Sequence, residues 1–209
     1  MKHVVLLGDS IFDNASYVPG KPPVIDQLRN QLSSLWKATL LAVDGHVTEE
    51  VLSQTSRLPA DASYLVISCG GNDALGYSNM LYESASSVAD VLLRFAEVRS
   101  EFQNNYNKML THVLSFDKPT AVCTIYDSAP GLTPTELTAL AMFNEIILRE
   151  AFSAKVPVID LRLTFTDSSD YSTLSPIEPS VSGGEKITRA IYRLLSNHDY
   201  GKEYSAVYV

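Results

Sequence analysis

Five short runs, at about 3–8, 37–43, 64–69, 119–125 and 156–161, stand out because Val, Ile and Leu follow one another there rather than alternating with polar residues. A strand with one face in water alternates, whereas a run apolar throughout marks a strand covered on both faces, as in a parallel sheet. Between these runs apolar positions recur at helical spacing over 23–35, 47–57, 83–115, 134–154 and 183–196. The regular alternation of strand and helix predicts an α/β fold, a three-layer α/β/α sandwich with a five-stranded parallel sheet and right-handed crossovers. No linker, repeat or low-complexity stretch divides the chain, so 1–209 reads as one domain. The polar stretch 164–182 reads as a loop returning to the rim of the sheet. Residues 198–209 form a tail whose Tyr200, Tyr204 and Tyr208 could dock on the body or on a neighbouring subunit.

Composition narrows the functional classes. A chain of 209 residues with 45% hydrophobic content can bury a substantial core. The net charge of −8 argues against nucleic acid or an anionic membrane as partner, since phosphate backbones and acidic lipids repel such a surface. No apolar stretch approaches the ~18 residues of a membrane span. Met1-Lys2 leads straight into the first strand, without the pattern of a cleavable leader, and a cytoplasmic location is expected. Cys69 and Cys123 each end an apolar run and read as free core thiols. No Cys/His cluster, calcium loop or phosphate-binding loop is present in the sequence, so neither a metal nor a cofactor is expected.

Chemistry concentrates just beyond two of the predicted strands. Gly8-Asp9-Ser10 follows the first, and Gly70-Gly71-Asn72-Asp73 follows the third. A serine at the carboxyl rim of a parallel sheet can act as a nucleophile, although Gly-Asp-Ser alone is also an ordinary turn in which Asp9 or Ser10 caps backbone. Together the two motifs resemble the first and third signature blocks of the GDSL, or SGNH, hydrolases. These are serine esterases and acyl hydrolases on a flavodoxin-like sheet. The resemblance runs along nearly the whole chain, with the motifs in the family's order. It implies Ser10 as nucleophile and an oxyanion hole made by the Ser10 amide, the amide of a glycine after the second strand, and the side chain of Asn72. Gly45 is the best match for that glycine, its alternative reading being a plain turn. Such donors act where negative charge develops on the substrate oxygen, each lowering the barrier by roughly 3–4 kcal/mol. Asp9 is expected to hold the loop through backbone hydrogen bonds.

The fourth block departs from the resemblance. The family's Asp-x-x-His-Pro, aligned on Gly183-Gly184, places Ser175 at the aspartate, Glu178 at the histidine and Pro179 at the proline. Two residues compete for the vacant role of base. Glu178 is a weak base at its ordinary pKa, and burial would strengthen it. His46 follows Gly45 on the same rim, while His3, His112 and His198 are expected far from it. The plain readings are a helix-entry residue for Glu178 and a surface side chain for His46. Asp160 is expected to anchor a loop. The reading is therefore a serine hydrolase of small ester or acyl substrates with an altered base. The alternative is a non-catalytic relative whose rim binds an acylated or carbohydrate ligand. The sequence leaves substrate identity and oligomeric state open.

Overall fold

A computed structural model describes every residue of 1–209 except Glu203. Among the described residues six strands form one parallel sheet in the order β2-β1-β3-β4-β5-β6: β1 Lys2–Gly8, β2 Trp36–Leu40, β3 Tyr64–Ser68, β4 Thr120–Cys123, β5 Val158–Ile159 and β6 Val207–Tyr208. The first five follow the flavodoxin-like order, in which the chain reverses its direction of winding between β1 and β3. The sixth was not expected. The tail returns along the sheet, where Val207 and Tyr208 pair with Val158 and Ile159 and cover an edge that would otherwise stay open. Tyr200 packs edge-on against Tyr64, so the tail docks on the body.

The helices are α1 Val24–Gln31, α2 Val51–Thr55, α3 Gly71–Gly76, α4 Val88–Leu114, α5 Pro134–Ser153, α6 Leu161–Thr164 and α7 Val181–Asn197. Residues of β1 divide between two cores. Val4 and Leu6 pack with Leu28 of α1 and Ile187, Ile191 and Leu194 of α7. Val5 and Leu7 face the other way, onto Phe102 and Met109 of α4 and Ile146 and Ile147 of α5. This double coverage explains the unbroken apolar run, since each fully buried aliphatic side chain contributes about 1.5–3 kcal/mol.

Helix boundaries follow their caps. The helix expected from 83 begins at Val88 because Ser87 is extended and its side chain accepts the Asp90 amide. At α5, Thr133 and Glu136 form a capping box with Pro134 in the first turn. At α7, Ser180 accepts the Gly183 amide. The two glycines that follow permit close docking: a Cβ on Gly183 would lie 2.1 Å from the Asp170 carbonyl oxygen, and one on Gly184 would lie 2.8 Å from Gln27 Oε1. Helix α7 therefore packs tightly on α1 and on the loop carrying residues 165–180.

Candidate active site

The site begins at the end of β1, where the backbone turns sharply. Gly8 has φ +127°, and a Cβ there would lie 1.7 Å from the Ser68 carbonyl oxygen, so only glycine fits. Buried Gln54 brackets this glycine, accepting from its amide at 2.8 Å and donating to its carbonyl at 2.7 Å. The next residue, Asp9, donates its amide to the Ser68 carbonyl and accepts the Ile11 amide on Oδ1 at 3.1 Å. That side-chain turn holds Ser10 at the rim, as expected from the sequence. Burial pushes the Asp9 carboxyl up to about 8, and the charges of Glu178 and Asp73 add to the effect.

Ser10 Oγ donates to Glu178 Oε1 at 3.0 Å across 168 residues of sequence. The loop bearing Glu178 is tied down on several sides. The Asn14 side chain donates to the Pro179 carbonyl at 3.1 Å and accepts the Val24 amide at 2.9 Å. Ser172 Oγ donates to the Tyr17 carbonyl at 2.7 Å, and the Ser172 amide donates to the Glu178 carbonyl at 2.7 Å. The Tyr126 hydroxyl donates to the Ile177 carbonyl. Glu178 is buried, and its Oε2 has no hydrogen-bond partner among the described residues. Burial pushes its carboxyl up to about 7; the Ser10 hydrogen bond opposes this and the Asp44 charge adds to it. At the position aligned with the family's aspartate, the Ser175 carbonyl accepts the Glu178 amide at 3.2 Å, a backbone turn in place of a side chain that orients a base.

Asn72 lies in the first turn of α3 and donates through Nδ2 to the His46 carbonyl at 2.9 Å. An amide nitrogen carries two protons, so this bond orients the group and leaves a second donor. The neighbouring Asp73 strengthens the link between the two loops by accepting both the amide and the hydroxyl of Thr48, each at 3.0 Å. Gly45 is exposed with φ +82°, and a Cβ there would meet nothing within 4 Å. Its glycine answers to backbone conformation, not to crowding. The His46 ring is engaged by Gln54, Nε2 to Nδ1 at 3.1 Å.

Ser10, Asn72, Glu178 and Asp9 line one end of a cavity of about 140 Å³, while Gly45 and His46 lie outside its lining. The other histidines lie elsewhere: His3 contacts Asp61 and Thr39, His112 contacts Thr55, and His198 sits among the tyrosines of the tail. Asp160 anchors its loop through Thr124 at 2.8 Å and an ion pair with Arg162 at 2.6 Å. Asp170 is buried against Lys186 at 2.5 Å. Cys69 and Cys123 are buried free thiols. Among the described residues no group of three or more His, Cys, Asp or Glu side chains is placed to hold a metal, and no helix is long and apolar enough to cross a membrane.

Sequence reasoning missed Gln54, Asn14 and Tyr126. They act on backbone carbonyls and amides far away in the chain, and no local pattern marks such a role.

The family model of the GDSL-like lipase/acylhydrolases matches residues 6–183. Among solved structures, a lipase from a goat rumen metagenome is 19% identical with a TM-score of 0.74, covering 97% of this chain and 100% of that one. A lipase/acylhydrolase from Enterococcus faecalis is 20% identical with a TM-score of 0.67, covering 93% and 95%. An acetyl xylan esterase from Geobacillus stearothermophilus is 13% identical with a TM-score of 0.67, covering 92% and 93%. No curated protein sequence matches the chain.

Proposed function

The chain belongs to the GDSL-like lipase/acylhydrolase family, and from that premise we propose that it is a serine ester hydrolase in which Glu178 takes the place of the histidine base. The observation that carries the proposal is the 3.0 Å hydrogen bond from Ser10 Oγ to a buried carboxylate. A carboxylate at its ordinary pKa takes a hydroxyl proton poorly; one raised to about 7 by burial has the basicity of an imidazole.

In the acylation step Ser10 Oγ attacks the ester carbonyl carbon as its proton passes to Glu178. The carbonyl oxygen becomes an oxyanion held by the second Asn72 donor and by the backbone amides of Ser10 and Gly45. Collapse breaks the bond to the alcohol oxygen, which leaves with the proton from Glu178. Water then repeats the sequence on the acyl-serine: Glu178 takes its proton, the acid departs, and Ser10 recovers its hydrogen.

The direct test is labelling with a fluorophosphonate, followed by mapping of the adduct. Modification at Ser10, lost in Ser10→Ala together with ester turnover, is the expected result. A protein that resists labelling and hydrolyses no ester would be the non-catalytic relative.

A further inference from the structure

Beyond its reacting end, the cavity at Ser10 is lined chiefly by hydrocarbon, with Tyr77, Val98 and Phe143 among its walls. Met80, Leu81, Phe95 and Met142 line both this cavity and a second groove of about 650 Å³ between the starts of α4 and α5. These four side chains border both spaces, so an apolar lining runs from the cavity at Ser10 to the groove near the Arg94–Glu83 ion pair, a path for any chain that passes between them.

Resting on the hydrolase reading above, we propose that this path holds the acyl chain of the substrate, and that the protein acts on esters of medium-length fatty acids in preference to acetyl esters of sugars. Two arguments support that choice. A sugar ring brought against such walls would bury hydroxyls without partners, at a cost that an alkyl chain does not incur. An acetyl group fills only the first part of the path, whereas each further methylene that enters it leaves water and gains contacts. Methionines at the junction suit a chain that must bend there, because their unbranched side chains adapt to shape.

The test is a series of p-nitrophenyl esters from acetyl through butanoyl, hexanoyl and octanoyl to decanoyl, assayed with the parent, Ser10→Ala and Met80→Trp. Expected is a kcat/KM that rises by up to about four-fold per added methylene to at least the octanoyl ester. Met80→Trp should lower the decanoyl-to-acetyl ratio at least ten-fold. Leu81→Trp at the same junction serves if thermal unfolding shows the first variant to be misfolded. Ser10-dependent hydrolysis that is greatest on the acetyl ester, or a ratio unmoved in both plugged variants, overturns the acyl path and leaves the hydrolase reading standing. If no ester is turned over, the hydrolase reading falls, and calorimetric titration with 1-decanol judges the path alone. Binding weakened at least ten-fold by the plug supports it, and absence of binding to the parent overturns it.

Discussion

Replacing Glu178 by Gln should produce an enzyme that is inactive and yet, in alkaline buffer, gains stability relative to the parent. The carboxyl is lifted from its usual 4.5 to about 7 in the folded protein, so the folded state holds its proton more tightly than the unfolded state. Its contribution to stability is then fully present below pH 4.5 and lost as pH rises through 7. The ionised group costs the folded protein about 3 kcal/mol above that pH, most of it acquired between about pH 5 and pH 8.5. The Gln variant escapes this cost. Its new NH₂ group, if it replaces the unpartnered Oε2, adds a penalty of about 1–3 kcal/mol that does not change with pH. The difference in Tm between variant and parent should therefore move in the variant's favour by roughly 5–10 °C from about pH 5 to pH 8.5. Over the same range, parent kcat/KM on a p-nitrophenyl ester should rise about ten-fold per pH unit and level off near 7, while the variant loses roughly 10²–10⁴-fold. Two measurements decide the matter: scanning calorimetry of both proteins at several pH values, and the pH–rate profile. A Tm difference that does not vary with pH, or a variant that retains its turnover, would refute the argument.

Other substitutions separate the remaining roles. Asn72→Ala should reduce turnover roughly 10²–10³-fold with little change in the denaturant midpoint; loss of folding with activity would reassign Asn72 to the scaffold. His46→Ala, which removes a ring engaged by Gln54 and lying outside the cavity lining, should cost less than about ten-fold, against the loss of several orders expected of a base; a larger loss, with the pH midpoint abolished, would transfer the base to His46. Gly8→Ala should fail to give folded protein, because its methyl would overlap the Ser68 carbonyl at 1.7 Å, and a soluble variant with parental circular dichroism would contradict that geometry. Cys69 and Cys123, buried as free thiols, should leave Tm unmoved by dithiothreitol; a shift of several degrees would reveal a disulfide.

What could be read from the sequence followed from local signals. The runs that became β1, β3 and β4 are buried on both faces and announce themselves through continuous hydrophobicity. The glycine motifs at Gly8 and Gly70 mark positive φ and hence turns at the rim. Strand β6 was invisible because two residues cannot display a period, and their extended state comes from the edge of β5. Helix α3 was hidden for a related reason. It begins at Gly71 and runs only six residues, too short and too poor in helix formers to stand out, and the Asp73–Thr48 bonds supply its tertiary support. Within the site, alignment of motifs could number Glu178. Its meeting with Ser10 depends on Asn14, Tyr126 and Ser172 acting on backbone far along the chain.

Under the proposed mechanism, a glutamate base would also change how charge flows through the reaction. A serine–histidine pair starts neutral and must create two opposite charges, an imidazolium and an oxyanion, which an apolar pocket resists. With Glu178 as base, the negative charge would exist before the substrate arrives. Proton transfer would move it from the carboxylate to the substrate oxygen, so the count of charges would stay at one throughout. The step would be a relocation and not a separation, and burial of the pocket would then work in its favour: Oε2 of the starting anion is buried without a hydrogen bond from the described residues, and the charge would travel toward the donors proposed for the oxyanion.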